Sequence, residues 1–386
     1  MGFNGQKEAS IFIKLMSNKL IIQRVELYKL SIPLKEPFIT SLGTETSADN
    51  VLVKMITDQG IIGFGECSPY MPINGESTDT CMIVGQYFAK ALKGKDALLI
   101  EECINLMDKI IYGNSSIKSA FDMAIYDIAS QHAGLPLYKF IGGENNKIIT
   151  TDYTVSIGDP QKMAADALKI KNEGYPAIKV KLGLNGKTDV ERIRAIRAAV
   201  GNEIPLRIDA NQGWKVKEAI ETLNALKEFD IQHCEEPIAR WKFMKLPKVK
   251  KNSPIPIMAD ECCGDEHDAE RLIELGACDY MNIKLGKSGG IYKALKMVRL
   301  AEAANIHLQV GAFLESRLAM TAFAHFALCS PIIEHYDFDT ALMFSEDPVT
   351  GGIFYEKNGV VKVPEVAGLG AVIDEGWLGK MEKVVI

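Results

Sequence analysis

Charged side chains recur at the ends of short apolar segments in the second half of the chain. They are Lys179, Lys181, Asp209, Glu235, Asp260, Lys284, Asp337 and Asp339. The residues numbered 179, 209, 235, 260 and 284 follow one another at steps of 30, 26, 25 and 24 residues. Acids can hold a metal ion and amines can move protons. Such regular spacing therefore predicts one shared site, provided that the fold brings the segment ends together.

The elements that must position these side chains form a repeated strand–helix pattern. From Thr150 onward short apolar strands alternate with helices, and we count eight strands. One helix is expected to begin at Thr188, with Glu191 completing a capping box. Eight parallel strands with right-handed crossovers close most simply into a (β/α)8 barrel, whose active site lies at the C-terminal strand ends. A doubly wound open sheet is the alternative, but no GxGxxG motif follows the first strand.

The first third of the chain has a different pattern. Residues 20–67 are predicted to form strands with a tight turn at Asp58–Gly60, and residues 78–140 are predicted to be helical. A second hairpin, around Asn358 and Gly359, is expected to return to this first region. We therefore predict an α/β protein with an α+β capping domain at 19–148, a barrel domain at 149–350 and a return segment at 351–386 that packs on the capping domain.

Three of the acids fall on consecutive barrel strands. Asp209, Glu235 and Asp260 end strands three, four and five, and neighbouring strands lie about 4.8 Å apart. Three carboxylates that converge so closely repel one another unless a cation lies between them. All the ligands are oxygens, with no His or Cys at a matching strand end. We therefore predict one hard ion, Mg²⁺, with Mn²⁺ as an alternative and Zn²⁺ disfavoured.

Two lysines are predicted to face each other across that ion. Lys181 ends strand two and Lys284 ends strand six, on opposite sides of an eight-stranded ring. One amine could remove a proton from one face of a metal-bound substrate while the other delivers a proton to the opposite face. A lysine acting as a base needs a pKa well below its usual value of about 10.4, and we expect Lys179 and the metal to lower it. Both cations would also stabilise the enediolate formed from the substrate.

Composition limits the class of protein. The chain has 386 residues, of which 47% are hydrophobic and 24% charged, so it can bury a large core and is not expected to be disordered. Its formal charge of −6 argues against non-specific nucleic-acid binding, and no apolar run is long enough to cross a membrane. The eight cysteines are scattered, and residues 1–18 contain only a short apolar piece without a cleavage signature. We expect free thiols, no secretory signal, a cytoplasmic location and Met16 as an alternative start.

The segments KVK, DAN, EEP, ADE and NIKLGKSGG, which carry these residues, resemble the enolase superfamily, muconate-lactonising subgroup. The resemblance covers nearly the whole chain and implies the barrel, its capping domain and a Mg²⁺ ion. It implies catalytic roles for Lys179, Lys181 and Lys284, substrate contact by Lys179, and metal binding by Asp209, Glu235 and Asp260. In EEP the ligand of the family is the first glutamate, which selects Glu235 over Glu236.

Within the subgroup, the pair Asp337-x-Asp339 on strand eight resembles the dipeptide epimerases, where such a pair binds the α-ammonium group of the N-terminal residue. Two acceptors suit an ammonium group, and lactonisation has no use for them. The segment TDYTVS also resembles that family, which makes Thr154 a substrate contact. The resemblance implies a Mg²⁺-dependent dipeptide epimerase that inverts the α-carbon of the C-terminal residue by two-base 1,1-proton transfer. It also implies that a homo-oligomer can form.

The first capping loop departs from the Ala-Glu epimerases. In those enzymes an Arg of this loop meets the glutamate side chain, whereas residues 37–50 contain no Arg or Lys and Gly43 stands at the matching position. Hydroxyl groups in this loop can form hydrogen bonds but cannot neutralise a carboxylate. Ile39, Leu42 and Met71 could face a small apolar side chain. We therefore expect Ala-Ala, or Ala followed by a small hydrophobic residue, rather than Ala-Glu.

Other activities stay open on sequence alone. N-acyl amino acid racemisation, o-succinylbenzoate synthesis and muconate cycloisomerisation use the same lysines and metal but not the strand-eight pair. A barrel that only binds a small molecule is the remote alternative. Glu315 could shape the pocket or be a hydrogen-bonded loop acid. LGKSGG after the strand-six lysine is expected to be a structural turn, and His307, His325 and His335 are expected to be core or surface residues and not ligands.

Overall fold

Three antiparallel strands begin the part of the chain that the structure describes. The computed structural model describes residues 19–386. The strands are β1 (Ile22–Thr40), β2 (Gly43–Thr57) and β3 (Ile62–Cys67). The predicted tight turn joins the last two, since the Gly60 amide donates to the Thr57 carbonyl at 3.0 Å and Gly60 has a φ of +80°. Glycine adopts this left-handed conformation at little cost because it has no Cβ.

Five helices accompany these strands. They are α1 (Met71–Asn74), α2 (Thr78–Leu92), α3 (Ile100–Ile110), α4 (Ser115–His132) and α5 (Leu137–Phe140). The longest, α4, is buried over almost its whole length and packs on β3. A Cβ at Gly65 of β3 would lie 1.9 Å from the Ala120 carbonyl oxygen of α4. Glycine at this position therefore allows the helix and strand backbones to touch.

Eight parallel strands form one curled sheet in the second part. A short strand, β4 (Ile149–Thr150), precedes them. The eight strands of the sheet are β5 (Tyr153–Val155), β6 (Ile178–Lys181), β7 (Leu206–Asp209), β8 (Ile231–Glu235), β9 (Ile257–Ala259), β10 (Tyr280–Ile283), β11 (His307–Val310) and β12 (Ile333–Tyr336). Their order in the sheet follows the chain, and the Asp152 amide donates to the Tyr336 carbonyl at 3.3 Å where the two edges meet. The predicted barrel is confirmed, and its strand ends share one mouth.

Helices follow the strands in the predicted alternation. They are α6 (Pro160–Asn172), α7 (Gly186–Val200), α8 (Val216–Ala225), α9 (Leu246–Lys251), α10 (Glu266–Glu274), α11 (Leu285–Ser288), α12 (Ile291–Ala304) and α13 (Arg317–Ala327). The predicted start of α7 at Thr188 is wrong. The helix begins at Gly186, because the Asn185 side chain accepts a hydrogen bond from the Thr188 amide at 3.2 Å and so caps the helix three residues earlier.

The C-terminal segment contacts both parts of the molecule. Its regular elements are β13 (Val349–Gly351), β14 (Phe354–Tyr355), β15 (Val360–Lys362), β16 (Ala371–Ile373), α14 (Glu375–Leu378) and β17 (Lys383–Val385). The chain also has 3₁₀ turns at Lys227–Phe229, Arg240–Lys245, Thr340–Met343 and Lys357–Gly359. The predicted hairpin joins β14 to β15 and pairs with β4 just before the barrel. The residues that follow the hairpin contact the first region. The Leu137 amide donates to the Gly368 carbonyl at 3.0 Å, the Leu369 amide donates to Asp127 at 2.9 Å, and β17 pairs with β1.

The buried apolar side chains form separate clusters. The largest extends from the barrel strands to their helices, and a second lies between β1–β3 and helices α2–α4. Among residues 19–386 no helix is long and apolar enough to cross a membrane. All eight cysteines are free thiols, as expected. The expectation about a secretory signal and the start at Met16 concerns residues 1–18 and lies outside the described residues.

Candidate active site

The two lysines of β6 reach the barrel mouth from the same face of the strand. Lys179 and Lys181 are 2% and 6% exposed, with buried Val180 between them on the other face. Lys179 Nζ lies 2.8 Å from a carboxylate oxygen of Glu235 and 2.7 Å from one of Asp337. Burial lowers the pKa of Lys179, but the carboxylates of Asp337 and Glu235 outweigh it and raise the pKa well above its ordinary value.

The three predicted metal ligands lie side by side on the neighbouring strands. Asp209 is opposite Glu235 in the β7–β8 pair, and Asp260 directly follows β9. All three carboxylates are fully buried. Lys181 Nζ lies 2.6 Å from Asp209, and Lys284 Nζ lies 2.8 Å from Asp260. The structure thus brings the predicted acids and lysines into one connected cluster.

Burial and charge act in opposite directions on these acids. Burial raises the pKa of Asp209, but the ammonium groups of Lys181 and Lys179 outweigh it and lower the pKa. Burial and the Asp209 carboxylate also act to raise the pKa of Glu235. The ammonium groups of Lys179 and Lys284 outweigh both and hold it below its ordinary value. Both carboxyl groups are therefore ionised at neutral pH, which is the state that metal binding requires.

Opposing charges of the chain act on the pKa of Lys284. Burial and the Lys179 ammonium group do lower the pKa of Lys284, as expected. The carboxylates of Asp260 and Glu235 outweigh them, and the pKa of Lys284 lies above its ordinary value. The acids that were assigned to the metal are themselves close enough to stabilise the ammonium form, and the lowering expected from the metal stays a prediction.

The acids match a hard cation in donor type and in burial. Within residues 19–386, however, no three His, Cys, Asp or Glu side chains are already arranged around a common ion position. Each acid is paired with an ammonium group instead. Lys287 contacts one carboxylate oxygen of Asp260, while the other lies 2.8 Å from Lys284 without the geometry of a hydrogen bond. Buried, ionised oxygen donors fit Mg²⁺, which would compete with the lysines for the same oxygens.

Two residues that were not predicted from the sequence support the acids. Lys287 was placed in a structural turn, yet its buried Nζ contacts Asp260 and donates to the Asn282 carbonyl at 3.0 Å. Asn282 Nδ2 donates to Glu235 at 2.8 Å. Asn282 precedes Lys284 by two residues on one strand, so strand alternation could have identified it. Lys287 lies on the short helix α11, where strand alternation gives no signal.

The strand-eight pair has two different environments. Asp337 pairs with Lys179, and the Lys179 and Lys181 ammonium groups outweigh burial to lower the pKa of Asp337. Asp339 is fully buried and accepts a hydrogen bond from the Thr154 amide at 2.7 Å. Burial and the Asp337 carboxylate raise the pKa of Asp339 well above its ordinary value. One acid therefore carries a charge, while the other favours its protonated form.

A cavity of about 480 Å³ opens between the barrel mouth and the loops of the first part. The predicted site residues in its lining are Thr154, Lys181, Lys284, Asp337 and Asp339. The first part contributes the β1–β2 hairpin and the loop at 68–78. Lys179, Asp209 and Asp260 lie outside the lining and contact its residues Asp337, Lys181 and Lys284, respectively. Glu235 contacts Lys179 behind them. The cavity therefore meets two lysines and two aspartates of one charged cluster.

Aromatic rings cover both lysines of the cavity. Lys181 Nζ lies 5.7 Å from the centre of the Phe38 ring, and Lys284 Nζ lies 4.9 Å from that of Phe313. Glu315 accepts a hydrogen bond from the Phe313 amide at 2.6 Å, and burial raises the pKa of Glu315 to about 8. Glu315 is thus a hydrogen-bonded loop acid that acts on the cavity by positioning Phe313.

The histidines lie away from the charged cluster at the mouth. His307 pairs with Glu334 at 3.0 Å, and His335 lies 2.9 Å from Arg207. His325 accepts a hydrogen bond from the Tyr138 amide at 3.2 Å. Their assignment to core or surface positions agrees with these contacts.

Sequence and structure comparisons identify the family. Residues 23–142 match the family described as mandelate racemase / muconate lactonizing enzyme, N-terminal domain, and residues 162–377 match the family described as enolase C-terminal domain-like. The chain belongs to the enolase superfamily. The resemblance inferred from the lysine and acid motifs is thereby confirmed.

Relatives within the superfamily match nearly the whole chain. It is 59% identical over 367 residues to a D-Ala-D/L-Ala epimerase of Cytophaga hutchinsonii, and the alignment covers 95% of this chain and 100% of that protein. It is 40% identical over 354 residues to an L-Ala-D/L-Glu epimerase of Clostridium acetobutylicum, covering 91% and 98%. A solved dipeptide epimerase of Cytophaga hutchinsonii, complexed with Mg and D-Ala-L-Val, matches with a TM-score of 0.94 at 59% identity, covering 95% and 100%.

Proposed function

We propose that this protein is a Mg²⁺-dependent dipeptide epimerase, an isomerase that inverts the α-carbon of the C-terminal residue of a dipeptide. The observation that carries the proposal is the pair of amines on one cavity. Lys181 on β6 and Lys284 beyond β10 lie four strands apart in an eight-stranded ring, so they face each other. Relatives named as dipeptide epimerases, one of them solved with Mg and a dipeptide, support the same assignment.

The α-ammonium group of the dipeptide is assigned to the strand-eight pair. Asp337 and Asp339 line the cavity, and the charged Asp337 is the stronger acceptor for a cation. Thr154 lies beside them and holds Asp339 through its amide. A substrate anchored there places its second α-carbon farther along the cavity, toward the two lysines.

The lysines exchange protons at that α-carbon. The neutral amine of one lysine takes the proton, and the ammonium form of the other delivers a proton to the opposite face, so the configuration is inverted. Lys179, held between Glu235 and Asp337, places a fixed positive charge next to the reacting region. Asp209, Glu235 and Asp260 are the residues that would hold Mg²⁺. When bound there, Mg²⁺ would supply positive charge that offsets the acids around Lys284 and the negative charge of the substrate carboxylate.

The proposed substrates are Ala-Ala and Ala followed by a small hydrophobic residue, in preference to Ala-Glu. The cavity wall opposite the lysines includes Leu42, Gly43, Tyr70 and Met71. None of these side chains can neutralise a glutamate carboxylate. The D-Ala-D/L-Ala name of the 59% identical relative supports the same preference.

The organisation of the chain is part of the proposal. We assign a capping domain to 19–148, a barrel domain to 149–350 and a return segment to 351–386, which the pairing of β17 with β1 supports. We also propose a cytoplasmic enzyme that forms a homo-oligomer and does not bind nucleic acid. Eight free thiols and a net charge of −6 support the location and the lack of nucleic-acid binding.

The direct test is α-proton exchange in D₂O. The enzyme with Mg²⁺ should incorporate deuterium at the second α-carbon of L-Ala-L-Ala, followed by NMR, and should produce the epimer. Addition of a chelator should stop both processes. A broad dipeptide panel without exchange would contradict the proposal and favour a barrel that only binds its ligand.

The strand-eight pair separates dipeptide epimerisation from the other activities of the subgroup. Asp337→Asn removes the charged acceptor and should lower kcat/KM for L-Ala-L-Ala by about 100-fold, as expected for a lost hydrogen bond between charged groups. An N-succinylated amino acid, which has no ammonium group, serves as the comparison substrate. If the variant kept the activity on free dipeptides, racemisation of N-acylated amino acids would be the better assignment.

A further inference from the structure

The proposed function determines where the second side chain of the dipeptide points. The α-carbon has four substituents, and three of them are directed by the barrel. The hydrogen faces a lysine, the carboxylate faces the acids behind Lys181 and Lys284, and the amide nitrogen leads back to Asp337. The side chain must take the remaining direction, toward the β1–β2 hairpin and the loop at 68–78. Residues of that wall therefore decide which second residue fits.

Glu45 is an acid of the β1–β2 hairpin that lies beside the aromatic ring covering Lys181. It is the strand partner of Phe38, whose ring centre is 5.7 Å from Lys181 Nζ. Both residues line the cavity, and Glu45 is half-buried. Strand partners carry side chains about 5 Å apart on one face, so the Glu45 side chain stands on the face that covers the active site. A substrate side chain that passes Phe38 reaches this carboxylate.

Glu45 lacks an ion-pair partner among residues 19–386. In the part of the chain that the structure describes, no Lys, Arg or His lies within ion-pair distance of Glu45, and residues 37–50 contain neither Lys nor Arg. Asp49 adds a second negative charge to the cavity wall and is held by the Ser31 and Ser47 hydroxyl groups at 2.6 and 2.8 Å. Burial and Asp49 raise the pKa of Glu45, so a nearby cation would stabilise the ionised carboxylate.

The wall also leaves space for a long side chain next to Glu45. At Gly43, across the hairpin end, a Cβ would meet only the Tyr70 hydroxyl oxygen, at 3.7 Å. Met71, farther along the same wall, is 69% exposed, so this side of the cavity is open to solvent. A lysine side chain can place its methylene groups along such a wall and its ammonium group at the carboxylate.

We propose that Glu45 is a specificity-determining residue that makes the cavity charge-selective: besides small apolar second residues, the enzyme accepts dipeptides with a basic second residue and rejects those with an acidic one. This inference rests on the proposed function, because it assumes that the second side chain points to the capping wall. Glu45 acts on side-chain selection and takes no part in proton transfer.

The test compares four dipeptides with the Mg²⁺-loaded enzyme at pH 8, far above the ordinary pKa of a glutamate. L-Ala-L-Ala and L-Ala-L-Met report the epimerase activity itself, and L-Ala-L-Lys and L-Ala-L-Glu report charge selection. In the wild type kcat/KM should be higher for the Lys dipeptide than for the Glu dipeptide. Glu45→Gln should lower this Lys-to-Glu ratio by about tenfold, the size of one partly screened charge–charge interaction. Glu36→Gln, an equal charge change at an exposed position of the same hairpin and outside the cavity lining, should leave the ratio unchanged.

A charge-reversing variant strengthens the test. Glu45→Lys should invert the ratio, so that the Glu dipeptide becomes the better substrate of the two. If the wild type turns over the neutral dipeptides but the ratio is the same in Glu45→Gln and Glu45→Lys as in the wild type, the inference is overturned and the proposed function stands. If the wild type turns over none of the four dipeptides, the proposed function fails and the inference fails with it.

Discussion

The mouth and the floor of the barrel are built from the same strands, yet they have opposite characters. On three strands, two inward-facing residues lie two positions apart, and the first of each pair faces the floor while the second faces the mouth. The pairs are Arg207 and Asp209 on β7, His233 and Glu235 on β8, and His335 and Asp337 on β12 and just beyond it. Strand alternation alone therefore places polar groups at both ends of the barrel interior. Only the environment of these groups distinguishes the two ends.

The floor is a polar network centred on Arg207. The Arg207 guanidinium donates to Asp152 at 2.8 Å, to the Gln232 amide oxygen at 2.9 Å and to His335 Nδ1 at 2.9 Å. Burial and the Arg207 charge lower the pKa of His335 to about 3, so the ring is neutral and can accept this hydrogen bond. The His233 ring lies against the His335 ring at 5.1 Å. The Arg207–Asp152 pair and the two histidine rings fill the floor.

The mouth is charged and open. Lys181 and Lys284 pair with buried acids on one side and face a cavity on the other. Buried polar side chains inside a barrel therefore do not by themselves mark a reactive site. Charged groups that also meet a cavity do, because a ligand can reach them and exchange protons with them.

The largest expected effect is at the two lysines of the mouth. Lys181→Ala and Lys284→Ala should each lower kcat for epimerisation by at least about 1,000-fold, because each removes one of the two proton-transfer groups. NMR in D₂O should still detect exchange from one stereoisomer only in each variant. Lys217→Ala, an exposed lysine paired only with Glu221, is the control and should behave as the wild type. Normal epimerisation by either single variant would break the two-base mechanism.

Loss of the buried cation at the floor should lower the stability of the protein. Arg207→Met leaves the Asp152 carboxylate buried without its partner, and the free energy of unfolding in urea should fall by about 3–5 kcal/mol. Lys181→Ala should destabilise the protein less, since the Asp209 carboxylate would then be open to water from the cavity. Adding Asp152→Asn to the Arg207→Met variant should recover part of the loss. If both cations proved equally important for stability, the contrast between floor and mouth would not hold.

His325, a buried histidine on the barrel helix α13, makes the stability of the protein depend on pH. His325 Nδ1 accepts from the Tyr138 amide at 3.2 Å, and Nε2 lies 3.1 Å from the Leu369 carbonyl oxygen, a pairing that needs the neutral ring. Burial lowers the pKa of His325 to about 4, below about 6.5 in an unfolded chain. Its contribution to stability is complete above pH 6.5 and is lost as the pH falls toward 4, by about 3 kcal/mol in total.

Urea titrations between pH 7 and 4 test this dependence. His325→Gln keeps one donor and one acceptor but cannot take up a proton, so its stability should fall less steeply over this range. His267→Gln, at an exposed position, should retain the wild-type slope. Equal slopes for His325→Gln and the wild type would show that another group controls the acid response.

Sequence periodicity predicted the fold and the residues of the mouth for a physical reason. A barrel repeats one strand–helix unit, so the polar residue at each strand end appears at nearly constant spacing, as from Asp209 to Glu235 to Asp260. The contact of Lys287 with Asp260 could not be predicted from this spacing, because Lys287 lies on a helical turn and not at a strand end. The effect of the acids on the pKa of Lys284 could not be predicted either, because it results from opposing charges whose distances only the folded chain defines. The pairing of the C-terminal hairpin with β4 likewise depends on contacts between residues far apart in sequence.

The smallest expected effect concerns the loop that leaves the mouth after Lys181. The sequence favoured Thr188 as the cap of α7, whereas the Asn185 side chain accepts from the Thr188 amide. Asn185→Ala should therefore lower the free energy of unfolding by about 1 kcal/mol, the usual value of a helix cap. Thr188→Ala keeps the amide donor and should cost clearly less. The loop lies outside the cavity lining, so kcat for L-Ala-L-Ala should be unchanged in both variants. A larger loss for Thr188→Ala in the urea titration would restore the cap predicted from the sequence.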